Sequence, residues 1–235
     1  MRLRCQDVDW SPLESADIVG AGSLLQWVTK VESKLTHPLH VWGSGYMFDQ
    51  KPPISSPLVI HDAVRGVKTK AFGKLDNVAL GDTGLLADLL VDKPIAKRYT
   101  IGIVPHLWHL DNPTLLHLMK KYPEIKLIDV RQNPLDVITQ IAECEFVYSS
   151  SLHGLIVADS FEIPNQWVQF DVPLFGGVWK FEDYYSVFDN LPEPLLLEQV
   201  TFMDSLISGI ANEYKRAGLA DIKQNLLRAF PYANQ

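Results

Sequence analysis

The chain of 235 residues has only two cysteines, Cys5 and Cys144, and each lies in a segment typical of an ordinary strand or helix. A disulfide framework is therefore not expected, and a reducing compartment suits the composition. No apolar run approaches the roughly 20 residues that cross a bilayer, and the first residues lack the apolar stretch of a signal peptide. These absences predict a cytoplasmic protein without a membrane span.

The chain also has fewer basic than acidic residues. The 21 Lys and Arg residues against 28 Asp and Glu residues give a formal net charge of −7, which argues against nucleic acid as a partner. Neither a Gly-x-Gly-x-x-Gly nor a Walker sequence is present, and no His, Cys, Asp or Glu group has metal-ligand spacing. An anionic ligand would need local cations, for which Arg65, Arg131 and Lys180 are the candidates.

Apolar segments, in contrast, alternate regularly with helical patterns. From Tyr99 onward, strands are predicted at 99–106, 125–130, 146–147 and 165–170, with helices between them. Asn112-Pro113 and Asn133-Pro134 each join a capping side chain to the residue favoured at the first helical position. A weaker alternation precedes residue 92, with strands near 17, 40, 58 and 77 and helices at 24–32 and 85–91. Strands separated by single helices predict an α/β fold with parallel sheets in two Rossmann-like lobes.

The alternation is interrupted at 92–97, where charge and proline occur together, and this segment is the predicted linker. We expect an N-terminal Rossmann-like lobe at 1–92 and a C-terminal Rossmann-like lobe at 93–190. A helical segment at 191–235 is expected to pack on the lobes. Within it, apolar residues at helical spacing from Val200 to Tyr214 predict a long amphipathic helix.

Three serines and a histidine follow the strand predicted at 146–147. Ser149, Ser150 and Ser151 lead through Leu152 to His153, which begins an apolar helix. A helix start offers unpaired N–H groups and a partial positive charge, and both favour a phosphate or carboxylate ligand. Histidine is the side chain that most readily exchanges a proton near neutral pH. The alternative is that His153 only caps or packs its helix.

Several short segments of the chain match those of a known protein family. They are Val-Trp-Gly-Ser-Gly at 41–45, Val-Arg-Gly at 64–66, Ala-Leu-Gly-Asp at 79–82, Gly-Ile-Val-Pro-His at 102–106, Leu-Ile-Asp at 127–129 and the run from Ser149 to Asp159. In these segments and their order the chain resembles the polysaccharide pyruvyl transferase family, which attaches pyruvate from phosphoenolpyruvate to a sugar as a ketal. The resemblance implies two lobes similar to the GT-B glycosyltransferase architecture. The first lobe is expected to be incomplete, since the family's opening glycine-rich segment has no counterpart before Asp17.

The reaction that the resemblance implies needs a general acid and fixed cations, and the residues offer candidates for these roles. His153 as acid or acid/base and Arg65 as a guanidinium that grips an anion are the predicted catalytic residues. The predicted donor-binding residues are Ser149, Ser150, Ser151, Lys180 and Arg131, and the predicted acceptor-binding residues are His106, Trp179 and Tyr184. The alternatives are a surface salt bridge for Arg65, neutralisation of Asp129 for Arg131, helix capping for the serines and core packing for His106 and the aromatic residues.

The leading hypothesis is transfer of a pyruvyl group from phosphoenolpyruvate to a sugar of a polysaccharide precursor, in the cytoplasm or at the inner face of the membrane. The expected partners are phosphoenolpyruvate and a saccharide acceptor, with a lipid-linked acceptor and a homo-oligomer left open. No cofactor is expected, because phosphoenolpyruvate would be the donor substrate. No metal is expected, because the sequence shows no metal-ligand spacing. The alternatives are a nucleotide-sugar glycosyltransferase and a non-catalytic saccharide-binding or assembly subunit.

Overall fold

A computed structural model describes residues 9–49, 52–91, 94–171, 176–188, 190–197, 211–212 and 214–232. The chain divides into two compact units. The first unit comprises Met1–Thr83, Gly176–Leu191 and Gly218–Gln235, and the second comprises Gly84–Phe175 and Pro192–Ala217. The predicted boundaries of 1–92, 93–190 and 191–235 differ from these units because the chain returns to the first unit at Gly176 and again at Gly218.

The strands of the described residues are β1 Ile18–Val19, β2 Leu39–Ser44, β3 Val59–Val64, β4 Ala79–Leu80, β5 Tyr99–Val104, β6 Lys126–Leu127, β7 Cys144–Ser149, β8 Asn165–Gln169 and β9 Leu195–Leu196. The helices are α1 Leu25–Val31, α2 Val67–Gly73, α3 Pro113–Lys121, α4 Pro134–Ala142, α5 Leu152–Ser160, α6 Trp179–Tyr185 and α7 Leu219–Arg228. Short 3-10 helices occur at Leu13–Ser15, Glu32–Lys34, Thr83–Leu89 and Leu107–His109. No helix of the described residues is long and apolar enough to cross a membrane.

Each unit contains one parallel sheet. The first has the strand order β1-β2-β3-β4, and the second has the order β6-β5-β7-β8-β9. The prediction of an α/β fold with two parallel, Rossmann-like units is therefore confirmed. The sheet of the second unit is covered on both faces, because Leu115 of α3 belongs to one apolar cluster, whereas Ile141 of α4 and Val157 of α5 belong to another.

The helices with local sequence signals occur where they were predicted. The Asn112 side chain accepts hydrogen bonds from the N–H groups of Thr114 and Leu115, and Asn133 accepts from Leu135, so both caps are confirmed. The predicted helix at 85–91 was wrong in type, because the chain there forms the 3-10 helix Thr83–Leu89. The helices α2 and α6 were not predicted.

Two further predictions fall partly on residues outside those that the structure describes. Of the predicted tail helix between Val200 and Tyr214, only 211–212 and 214 are described, and Tyr214 lies outside regular structure. Of the predicted linker at 92–97, residues 94–97 are described, and they form neither helix nor strand.

Candidate functional site

The predicted serine and histidine turn lies at a topological switch point of the second unit. Helix α3 connects β5 to β6 on one side of β5, and α4 then carries the chain to β7 on the other side. Val104 at the end of β5 is in register with Ser149 at the end of β7. Ligands of open parallel sheets bind beyond the carboxyl ends of the strands at such points, so the turn has the position of a binding site.

The Ser149 side chain closes this turn from within. Its Oγ lies 2.8 Å from the carbonyl oxygens of both Val104 and Ser151, and it accepts a hydrogen bond from the Ser151 N–H at 3.0 Å. A Cβ at Gly154 would lie 2.3 Å from that Oγ, so glycine lets α5 begin close to the end of β7. Ser149 is buried, and it shapes the predicted donor site from the protein interior.

Ser150 holds the turn after β5 in the same way. Its Oγ accepts a hydrogen bond from the His106 N–H at 2.9 Å and lies 2.9 Å from Nδ1 of His109. Ser150 and His109 are both buried, and the His109 ring stacks on Phe170 with their centroids 4.1 Å apart. This hydroxyl therefore joins the turn after β7 to the turn after β5.

His153 is exposed at the start of α5, in the second helical position. Ser151 is the N-cap residue of this helix, but its hydroxyl makes no capping hydrogen bond. The first turn of α5 thus combines backbone donors that Ser151 does not cap with a solvent-exposed imidazole. An exposed histidine at a helix start can exchange a proton with a bound anion without a change in the core.

His106 follows β5 and is half-buried. Its Nδ1 accepts a hydrogen bond from the Trp108 N–H at 3.2 Å, which caps the 3-10 helix Leu107–His109. The ring therefore holds the local backbone in place, and the predicted contact of His106 with an acceptor stays a prediction.

Arg131 forms the ion pair with Asp129 that the sequence offered as its alternative role. The guanidinium Nε lies 3.0 Å and 3.1 Å from the two carboxylate oxygens, and an amino nitrogen lies 2.6 Å from one of them. Hydrogen bonds from Arg131 lower the pKa of Asp129 below its usual value. Arg131 is 59% exposed, so it lies at the surface of the second unit.

Arg65 lies in the interior of the first unit, with 0% of its surface exposed. Its Nε donates to Asp183 Oδ2 at 2.9 Å, one amino group donates to the Ser23 hydroxyl at 2.7 Å, and the other donates to the Tyr46 carbonyl. The surface salt bridge proposed as the alternative is wrong, because both partners of the pair are fully buried. Arg65 links the ends of β2 and β3 to α6, and its predicted contact with an anion stays a prediction.

The Asp183 carboxylate caps a helix that is distant in sequence. Its Oδ1 accepts from the Thr69 N–H at 2.7 Å, and its Oδ2 accepts from the Thr69 hydroxyl at 2.7 Å. Gly66, the N-cap residue of α2, has no side chain that would do this. A Cβ at Gly66 would lie 1.8 Å from the Asp183 carbonyl oxygen, and one at Gly45 would lie 2.5 Å from Cζ of Arg65. The two glycines therefore make room for the pair, which explains the Gly-Ser-Gly and Arg-Gly segments.

Lys180 is buried in the first turn of α6 in the first unit. Burial, with a smaller contribution from the positive charge of Arg65, lowers the pKa of the Lys180 amine below its usual value. The predicted contact of Lys180 with the donor stays a prediction.

The two aromatic residues predicted to bind the acceptor lie in different environments on α6. Tyr184 is fully buried and packs edge-on against Tyr185 and Phe188, so core packing, the alternative, describes it. Trp179 is half-buried, and the Lys68 ammonium lies 5.4 Å from its ring centroid.

Three residues with structural roles in these regions were missed from the sequence. His109 and Asp183 were not singled out, although each is buried and makes the contacts described above. Asp159 of the serine-histidine segment forms a buried pair with Arg216, whose Nε lies 2.9 Å from the carboxylate, and it accepts from Asn165 at 2.6 Å. A charged residue in an otherwise apolar helix is the signal that predicts such a buried pair.

A groove of about 570 Å³ in the first unit contains none of the predicted site residues, and its lining is Asp62, Asn77, Val78, Ala79, Leu80, Val187, Ile222, Asn225, Arg228 and Ala229. No group of three His, Cys, Asp or Glu side chains in the described ranges is arranged to hold a metal ion. The candidate site is therefore assigned from topology and side-chain chemistry.

Two parallel sheets with helices between their strands place the protein among the α/β proteins. The model of the family described as polysaccharide pyruvyl transferase matches residues 47–168, just over half of the chain. The chain belongs to this family.

Two curated relatives are similar to the chain. Uncharacterized protein L143 of Acanthamoeba polyphaga mimivirus is 39% identical over 136 residues, which cover 53% of the chain and 47% of that protein. Succinoglycan biosynthesis protein ExoV of Rhizobium meliloti (strain 1021) is 28% identical over 195 residues, which cover 82% of the chain and 60% of that protein. The chain thus spans about half of one relative and three fifths of the other. No solved structure matches it.

Proposed function

We propose that the chain transfers a pyruvyl group from phosphoenolpyruvate to a sugar of a polysaccharide precursor and forms a pyruvate ketal. Family membership supports the reaction class, and the similarity to a succinoglycan biosynthesis protein supports a polysaccharide context. The observation that carries the proposal is the position of His153, exposed at a helix start that follows a switch-point strand.

The chemistry needs one acid and a site for anions. A proton added to the methylene carbon of phosphoenolpyruvate makes the adjoining carbon electrophilic, and a sugar hydroxyl adds to that carbon. Phosphate then leaves, and a second hydroxyl closes the ketal. One hydroxyl proton ends on the new methyl group and the other on phosphate, so atoms and charge balance.

His153 is the proposed acid, because it is the exposed proton-exchanging side chain of the serine turn. The backbone donors in the first turn of α5 are proposed to bind the carboxylate or phosphate of the donor. Lys180 remains a predicted donor ligand on the basis of the family resemblance. Ser149 and Ser150 act as positioning residues in this proposal, since their hydroxyls hold the turn.

Chemical modification of histidine tests the donor site without knowledge of the acceptor. His117 on α3 is exposed in the same unit and provides a matched control. Diethyl pyrocarbonate should modify both His153 and His117, and phosphoenolpyruvate should protect only His153 when peptides are quantified by mass spectrometry. Equal labelling of His153 with and without phosphoenolpyruvate would contradict the proposal.

Calorimetric titration gives the second test. Phosphoenolpyruvate should bind the wild-type chain in preference to UDP-glucose and GDP-mannose. His153→Ala should lose phosphate release in the presence of a competent acceptor and keep its fold by circular dichroism, whereas His117→Ala should behave as wild type. Preferential binding of a nucleotide sugar would instead support the glycosyltransferase alternative.

A further inference from the structure

We propose that Trp108 is the stacking platform for a pyranose ring of the saccharide acceptor, an inference that rests on the proposed function. Its side chain is 62% exposed, and the neighbouring Leu107 is 50% exposed. Neither residue is required to fill the core at these exposures. A large exposed aromatic ring beside an exposed apolar side chain forms a surface that suits the apolar face of a sugar.

Most other large aromatic side chains in and beside the second sheet are buried, and the half-buried Tyr99 lies at the start of β5, away from the turn that follows this strand. Phe146, Tyr148, Trp167 and Phe170 are all at least 93% buried. On α6 of the first unit, the predicted platform Tyr184 is fully buried. The exposure of Trp108 therefore distinguishes it from these four buried rings and from Tyr184, one of the two aromatic residues predicted to bind the acceptor.

The position of Trp108 places it at the switch point. It lies two residues after His106 in the turn that follows β5, and Ser150 of the His153 turn is hydrogen-bonded to the His106 N–H at 2.9 Å. A sugar bound on the Trp108 ring would therefore lie against the turn after β5. Ser150 joins this turn to the turn after β7, which leads to the proposed acid His153. This is where the hydroxyls of an acceptor are needed.

The backbone beneath the ring is held by contacts on both sides. The Trp108 N–H donates to His106 Nδ1 at 3.2 Å, and the His109 N–H donates to the His106 carbonyl at 2.8 Å. The next residue, His109, is buried, stacks on Phe170 and contacts the Ser150 hydroxyl. The His106 ring meets the Trp108 ring edge-on, with centroids 5.4 Å apart. A platform fixed in this way loses little conformational entropy when it binds a ligand.

Saccharide binding by variants at this position tests the proposal. Trp108→Ala removes the ring but keeps the backbone hydrogen bond, so the fold should be retained. Trp108→Phe keeps a smaller aromatic face. Trp27 on α1 is 48% exposed in the first unit and serves as the matched control, as Trp27→Ala.

The probes are methyl β-D-glucopyranoside and methyl β-D-galactopyranoside, detected by saturation-transfer NMR, and succinoglycan incorporated in a native gel. We expect binding of at least one probe to weaken about tenfold in Trp108→Ala, to weaken less in Trp108→Phe and to be unchanged in Trp27→Ala. Equal binding by Trp108→Ala and wild type, or no binding of any probe by wild type, would overturn the inference.

Titration with phosphoenolpyruvate separates this inference from the proposed function. Trp108→Ala should bind phosphoenolpyruvate as wild type does, because an uncharged ring offers no charge to the anionic donor. If wild type binds phosphoenolpyruvate and Trp108→Ala leaves saccharide binding unaltered, only the platform is wrong. If wild type binds the saccharide through Trp108 but does not bind phosphoenolpyruvate, the pyruvyl transfer proposal fails and the saccharide site remains.

Discussion

Polar residues follow the carboxyl ends of the strands in both parallel sheets, but they differ in accessibility between the two units. In the first unit the polar groups at this edge are sealed, since Arg65 and Asp183 are fully buried and pair with each other. In the second unit Ser149 and Ser150 are also buried, but His153 and Trp108 remain exposed. Polar residues that follow parallel strands can therefore either be buried within the fold, as Arg65 is, or remain exposed to solvent, as His153 is.

The difference follows from the side chains that each edge must accommodate. Arg65 carries a charge into the interior, so it needs a carboxylate and further acceptors, and these close the edge of the first unit. Ser149 and Ser150 satisfy backbone groups with short neutral side chains. The adjoining residues of the second unit can therefore stay at the surface.

The largest effect is expected from breaking the buried ion pair. Asp183→Ala leaves the Arg65 guanidinium buried without its carboxylate and removes the cap of α2, so the free energy of unfolding should fall by about 3–5 kcal/mol. Arg131→Ala is the control, because it removes one partner of the exposed pair with Asp129. Urea denaturation of both variants checks the comparison. A small loss in Asp183→Ala would show that the first edge is not sealed by this pair.

A smaller effect is expected from crowding the same edge. Gly66→Ala places a Cβ against the Asp183 carbonyl, so α2 and α6 must shift, and overpacking of this kind costs about 1–3 kcal/mol. In Gly20→Ala the added Cβ would lie no closer than 3.6 Å to its nearest neighbour, so that variant should match wild type. Thermal unfolding of the two variants measures the difference, and equal midpoints would contradict the close approach at Gly66.

The smallest effect concerns pH. Because the Lys180 pKa is lowered in the folded protein, the unfolded chain binds more protons between that pKa and the usual value of 10.5. Wild-type stability should therefore rise with pH in this window relative to Lys180→Met, by at most about 1.4 kcal/mol per pH unit. The free energy of unfolding of both proteins is measured as a function of pH. Equal pH dependence of wild type and Lys180→Met would show that Lys180 is not buried as a cation.

The elements that the sequence predicted well are those with local signals. Asn112 and Asn133 cap their helices through N–H groups two or three residues away, so a short window of sequence contains the whole interaction. Helix α2 was missed because its cap is Asp183, which is 114 residues from Thr69. Gly66 offers no local signal for a helix start.

The same limit applies to the candidate site. The serine and histidine turn was found because the strand, the turn and the helix are contiguous in sequence. The burial of Arg65 and Tyr184 depends on packing between segments that are far apart in the chain, and a sequence pattern does not contain this information. Trp108 lies in the turn after β5 and Tyr184 lies on α6. Only the fold shows that the Trp108 ring is exposed and that the Tyr184 ring is buried.

The pairing of Arg65 with Asp183 also has a consequence for biosynthesis. Because the partners are 118 residues apart, β3 leaves the ribosome well before the carboxylate that its neighbouring arginine needs. Four of the five strands of the second sheet, β5 to β8, are made in the interval. The first unit therefore reaches its native state only after the chain closes a long loop, which slows folding and favours early folding of the second unit. In that interval a nascent chain carries an unpaired guanidinium and an uncapped α2, so the N-terminal half of the protein is the part that chaperones are expected to hold.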